Sequence, residues 1–330
     1  MSLLIIYNAC GMTNRENSES YIKNIDSILS QDLEDKHIVF SGCCISAETF
    51  SKIYGKFQKK ISYYLTNERL AVNQTFNHAV LKSVEGAGEY DGYMYVASDV
   101  NFSDDKSSLR RLHDRILNPE NGIVSPEIDK DNGYFWWFGF DEKQNIWDVF
   151  GKEKDFVVPV GSTANLHCSI FSNKIFKAYG RIIPDIFFSY CTESTFSFLS
   201  AAVGQRFIIA NDVKYSHGHD QGTHSGLDGQ TQAFGAGWDR VYPGSKSIKE
   251  IVEDPAARAC GFGHEEWVPR FIHKMDVPDD KTFLMHDEKQ FDEKGFSIDG
   301  RLEDFIKNNL FASKNVLNYD TIRCKFIENI

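Results

Sequence analysis

Asp99 and Asn101 stand two residues apart at the close of an apolar, aromatic run, "YDGYMYVASDVNF", from Tyr90 to Phe102. A carboxylate and an amide at that spacing on a turning strand end can hold one hard divalent cation, or its water shell, through oxygen. Such a cation bridges two phosphates and neutralises a leaving diphosphate. The fitting ions are magnesium and manganese, and manganese also accepts imidazole. A second cluster supplies imidazoles: His217, His219 and His224. The plainer reading of Asp99 and Asn101 is a turn or cap, where both residue types are common.

Other chemistries lack their signatures. No GxGxxG follows the first apolar run, and no GxxxxGK[ST] or GxSxG is present. The seven cysteines show no CxxC spacing and suit reduced thiols in a cytoplasm. A formal net charge of -11 argues against broad nucleic-acid or anionic-membrane binding. No segment reaches the ~20 apolar residues of a membrane helix. With 42% hydrophobic and 14% aromatic residues, the chain can bury a sizeable core.

The elements that would carry the pair alternate. Leu3 to Ala9, His37 to Phe40, Ile61 to Leu65 and Tyr93 to Ala97 read as strands, with Ser41-Gly42 turning after the second. Asn17 to Leu33, Ala47 to Phe57 and Asn73 to Val84 have helical spacing between them. Four strands and three helices in alternation predict a mostly parallel sheet flanked by helices. Such sheets bind ligands beyond the carboxyl ends of their strands, which is where Asp99 and Asn101 fall. Further on, Leu109 to Leu117, Ser172 to Tyr179 and Glu193 to Val203 read as helices. Ile123 to Ile128 and Arg206 to Ala210 read as strands, and Tyr134 to Phe140 as a strand paired with Phe156 to Val160. His217 to Gly237 reads as a loop. Ile248 to Ile330 reads as charged helical stretches and turns.

The order of these features resembles the nucleotide-sugar-dependent glycosyltransferases of the GT-A fold, family-2 type. Ser98 and Asp99-Val100-Asn101 match that family's DxD-like strand end. "NQTFNHAV", Asn73 to Val80, matches the asparagine signature on the preceding helix. Tyr179-Gly180-Arg181, Thr192-Glu193-Ser194, Gly204 and "RFIIANDVKYSH" follow in the family's order, across roughly Leu3 to His219. The sequence departs from the family in having Asn101 for the last acid of the DxD and Ser194 for the second of an acidic pair.

The resemblance implies a GT-A, Rossmann-like α/β fold with a catalytic domain over 1–235. Its donor half would run to about 102 and its acceptor half from about 103. Residues 236–330 would be an extension shaping the acceptor site or a homo-oligomer contact. It implies a sugar moved from a nucleotide diphosphate, a UDP-sugar favoured, to a glycan or other hydroxyl acceptor, with inversion. Asn8, Ala9, Glu68, Asn73, Asn77, Ser98 and Asp99 would bind the donor. Asp99, Asn101 and His217 or His219 would hold the cation. Glu193 would be the general base, with Asp185 in reserve. Trp136 and Trp137 would stack on the acceptor, although aromatic residues in a strand are more often core. Two rivals remain. One is a binding protein of the same fold with weak turnover. The other is a nucleotidyltransferase, for which "NACGMTNRE" lacks the Gly-rich basic loop.

Overall fold

The computed structural model describes residues 2–11, 16–68, 70–102, 105–126, 155–158, 167–185, 196–217, 306–307, 311 and 317–329. β1 (Leu3–Cys10) is buried on both faces. Leu4 and Ile6 enter one apolar cluster, while Leu3, Ile5 and Tyr7 enter the other. This accounts for a continuous apolar run where a half-exposed strand would alternate. α1 (Ser18–Leu29) begins at Asn17, whose Oδ1 accepts from the N–H groups of Glu19 and Ser20, each at 3.1 Å. β2 (Lys36–Cys43), α2 (Ala47–Phe57), β3 (Ser62–Thr66), α3 (Val72–Ala87) and β4 (Gly92–Ala97) follow. The four strands are parallel, in the order β3, β2, β1, β4. α3 lays Phe76 and Val80 on one face of the sheet. The other face receives Tyr21, Ile25 and Ile28 of α1, with Ile53 and Phe57 of α2.

One boundary differs from the sequence reading. Ser41 and Gly42 do not turn the chain; β2 runs through them to Cys43. Gly42 is paired with Ala9 on one side and Leu65 on the other. A Cβ there would meet Ile45 Cγ1 at 2.9 Å and Leu65 Cδ2 at 3.0 Å. This glycine makes room inside a sheet, which a local turn rule cannot detect.

The chain continues through β5 (Val100–Phe102), α4 (Ser108–Ile116), β6 (Asn121–Pro126), β7 (Asp155–Val157), β8 (Cys168–Ser172), α5 (Asn173–Tyr179), α6 (Phe196–Ala202), β9 (Arg206–Ala210), β10 (Tyr215–His217) and β11 (Cys324–Ile327). Among the described residues nine strands form one mixed sheet, in the order β11-β3-β2-β1-β4-β8-β6-β9-β7. Six run in one direction; only β8, β7 and β11 oppose them. β8 is absent from the sequence reading. It is five residues long, wholly buried, and its last residue, Ser172, is also the N-cap of α5. β7 pairs with β9, and Tyr134 to Phe140 lies outside the described residues. β11 is also absent from that reading and adds antiparallel to β3. Among the described residues no helix is long and apolar enough to cross a membrane.

Candidate active site

The parallel register brings one row of residues to the carboxyl edge. Asn8 lies opposite Ser41 of β2 and Ala97 of β4, and Cys43 lies opposite Thr66 of β3. Asn8 and Ala9 lie near the end of β1, just before Cys10. The Asn8 Nδ2 donates to the Val72 carbonyl at 2.9 Å, tying this edge to the start of α3. Glu68 follows β3, and its N–H donates to Thr66 Oγ1 at 3.0 Å.

Ser98 and Asp99 form the turn between β4 and β5, and Asp99 is part-exposed there. The Ser98 carbonyl accepts from the Tyr7 hydroxyl and from Asn24 Nδ2, the latter at 2.8 Å. Asn24 Oδ1 in turn accepts from Asn101 Nδ2 at 3.0 Å. Burial pushes the Tyr7 hydroxyl well above the usual phenol range, with the nearby Asp99 charge a lesser cause, so Tyr7 stays a donor at neutral pH. The turn carrying Asp99 is therefore gripped from β1 and α1. β10 pairs antiparallel with β5 and sets the backbone of His217 opposite Val100, between Asp99 and Asn101. Residues separated by more than a hundred positions in sequence meet at one ribbon.

The sequence does not single out Tyr7 or Asn24. Tyr7 is hidden inside an apolar run. Asn24 did leave a signal, being a polar residue inside the buried stripe of Tyr21, Ile25 and Ile28. A groove of about 380 Å³ lies against α1 and β5, lined by Lys23, Asp26, Ser27, Ser30, Asn101, Phe102 and Lys106. It shares only Asn101 with the residues expected to bind donor or cation.

Three expected site residues lie elsewhere. Asn73 and Asn77, assigned to the donor, are 0% and 1% exposed. Asn73 Nδ2 donates to the Pro184 carbonyl at 2.7 Å. Asn77 Nδ2 donates to the Ile183 carbonyl at 2.6 Å, and its Oδ1 accepts the N–H groups of Ile182 and Ile183. The asparagines of α3 thus clamp the 182–185 segment. Asp185, the reserve base, is 1% exposed. It accepts from the Tyr319 hydroxyl at 2.5 Å, from Asn77 Nδ2 at 3.0 Å and from the Leu317 N–H at 3.0 Å. The Arg181 Nε lies 3.4 Å from it. Burial raises its pKa above the ordinary carboxylate value, with Arg181 acting against that. A carboxylate so enclosed holds the chain together and is closed to an acceptor hydroxyl. Glu193, His219, Trp136 and Trp137 lie outside the described residues. Among the described residues no group of three His, Cys, Asp or Glu side chains stands close enough to hold a metal ion.

No family model matches this chain, and no curated protein matches it in sequence. Solved structures match it in shape. The mannosyltransferase PcManGT from Pyrobaculum calidifontis, in complex with GDP-Man and Mn2+, aligns over 86% of this chain and 83% of its own. The TM-score is 0.50 and the identity 12%. TarS from S. aureus aligns over 87% of this chain and 50% of its own, with TM-score 0.50 and identity 15%. A second TarS structure, in complex with UDP-GlcNAc, gives 0.49 at 14% identity, over 87% of this chain and 84% of its own. At these identities the likeness is one of fold: the chain has the GT-A-type α/β architecture of that mannosyltransferase.

Proposed function

We propose that this chain is a glycosyltransferase that moves a sugar from a nucleotide-diphosphate donor to an acceptor hydroxyl. The supporting observation is the Ser98-Asp99 turn, held by Tyr7 and Asn24 at the carboxyl end of β4 in this fold. A magnesium or manganese ion fits the oxygen chemistry of Asp99 and Asn101, with His217 or His219 as a further ligand. Bound there, it would neutralise charge on a leaving diphosphate.

The residues have separate tasks. Asn8, Ala9, Glu68 and Ser98 line the edge along which the donor lies. Asp99 would orient the diphosphate through the cation, and the two hydrogen bonds on its turn reduce the ordering needed on binding. Glu193 takes the acceptor proton, since Asp185 is committed to the interior. Direct displacement by the hydroxyl then inverts the anomeric centre. Trp136 and Trp137 offer the acceptor sugar a flat apolar face. Residues 1–235 form the catalytic domain. Of the extension from 236 onward, Cys324–Ile327 joins the donor half, because β11 extends its sheet.

The test is turnover. The full chain, given UDP- and GDP-sugars with and without manganese, should release nucleoside diphosphate from one donor class in a metal-dependent way. Asp99→Ala should lower that rate by ~10²–10³-fold, the scale of losing one preorganised charge-stabilising group. An unchanged rate in the mutant would remove Asp99 from the chemistry. Binding of donor with no turnover under any condition would favour the binding-protein rival.

A further inference from the structure

Assigning the diphosphate to Asp99 fixes a direction for the rest of the donor. On one side of β4 lies β8, antiparallel, presenting its amino end at this edge. The contiguous row of carboxyl ends therefore runs the other way, through β1 and β2 to β3. Three inter-strand steps from β4 to β3 cover roughly 14 Å. That length suits the nucleoside of a donor laid along the edge.

The row has one more member. β11 is antiparallel to β3, with Cys324 opposite Thr66. The residue before it, Arg323, thus stands at the same carboxyl edge. Its carbonyl accepts from the Thr66 hydroxyl at 2.9 Å, and the same Thr66 oxygen accepts the Glu68 N–H at 3.0 Å. One threonine pins both backbones. The Arg323 side chain is 94% exposed, and its Nε lies 3.4 Å from Glu68 Oε1. An ion pair this open adds little to stability. It does hold a planar guanidinium beside a carboxylate, which sets hydrogen-bond donors next to acceptors. A nucleobase edge carries the complementary pattern, and a guanidinium also stacks on a ring face.

We infer that Arg323, delivered by β11, contacts the nucleoside portion of the donor beside Glu68. This rests on the donor reading above. It gives the segment around β11 a role in nucleotide recognition, where the sequence suggested the acceptor site or an oligomer contact.

Calorimetry on the full chain with manganese tests it, using GDP, UDP and inorganic diphosphate as probes. Arg323→Ala should weaken the preferred nucleoside diphosphate about tenfold, the loss of one charge-assisted contact. Affinity for inorganic diphosphate should not change, and neither should the unfolding midpoint. In turnover the variant should raise KM and leave kcat intact, as for a contact remote from the reacting centre. Equal weakening of inorganic diphosphate would overturn the inference, because Arg323 would then act as a general positive charge. Unchanged nucleotide affinity would overturn it as well. A wild-type chain that binds inorganic diphosphate as tightly as either nucleotide would also refute it, while leaving the Asp99 reading intact. A wild-type chain that binds none of the three would refute both.

Discussion

Asp99 and Asp185 carry the same side chain in opposite surroundings. Asp99 sits part-exposed on a turn whose backbone, not its carboxylate, is secured by Tyr7 and Asn24. Asp185 is sealed in, and four groups from three parts of the chain converge on its oxygens. The first arrangement keeps the side chain part-exposed at the strand ends. The second spends the charge on cohesion: α3, the 181–185 segment and the 317–319 segment are joined through one carboxylate. Family resemblance put both on a list of site residues, and only burial separates them.

The sharpest way to break this contrast is the same substitution at both positions. Asp185→Ala removes the anion beside Arg181 and leaves the Tyr319 hydroxyl and the Leu317 N–H without their acceptor in the interior. Removing one partner of a buried charged pair typically costs ~3–5 kcal/mol. Urea denaturation should show a loss of that size, with earlier proteolysis near Leu317. Asp99→Ala should shift unfolding by less than about 0.5 kcal/mol, as a part-exposed turn residue does. Equal effects on stability would erase the distinction.

A pH profile sharpens the buried side. His78, 1% exposed, hydrogen-bonds the Tyr64 hydroxyl through Nδ1 at 2.8 Å and stacks on Tyr319. Burial lowers its pKa from the ordinary value to about 4. The unfolded chain, with an ordinary histidine near 6.5, therefore takes up the proton first. The neutral ring's contribution is complete above pH ~6.5 and is lost as pH falls toward 4, to a limit of ~3 kcal/mol. Denaturant midpoints measured from pH 7 to pH 4 should fall for the wild type and flatten on this arm for His78→Phe. A parallel fall in both would assign the pH dependence to other groups.

The smallest expected effect tests the exposed side. Asn24→Ala removes one of the two donors to the Ser98 carbonyl and the acceptor of Asn101 Nδ2. Each of these two hydrogen bonds is worth ~1 kcal/mol. Donor turnover should drop about tenfold through a loosened turn, with Tyr7 still holding it. Turnover within twofold of wild type would mean that the turn needs no help from α1.

Several elements were legible because their signals are local and agree. α2 runs over Ala47–Phe57 as its spacing predicts, and β9 over Arg206–Ala210. Buried β1 announces itself as an unbroken apolar run. β8 did not, because five residues with serines at 169 and 172 look like any short segment. Its identity as a strand comes from β4 and β6 on either side. β11 was hidden for the same reason, since "CKFI" becomes a strand only against β3. For the site, the position of Asp99 was legible because strand ends follow from strand order. The fates of Asn73, Asn77 and Asp185 were not, because nothing local in the sequence tells a polar side chain facing a ligand from one facing its own backbone.

Pairing of β11 with β3 also has a consequence for biogenesis. The Thr66 hydroxyl meets the Arg323 carbonyl across 257 positions of sequence. While the ribosome is still adding residues between them, the outer edge of β3 has no strand to cover it. A nascent intermediate with its first four strands assembled would expose an open ladder, the kind of surface that templates aggregation. Closing it requires one of the longest loops this chain can form, a slow step set by topology more than by stability. Expression yield should therefore depend on how well this edge is shielded during synthesis, and shortening the chain before Cys324 would leave it open for good.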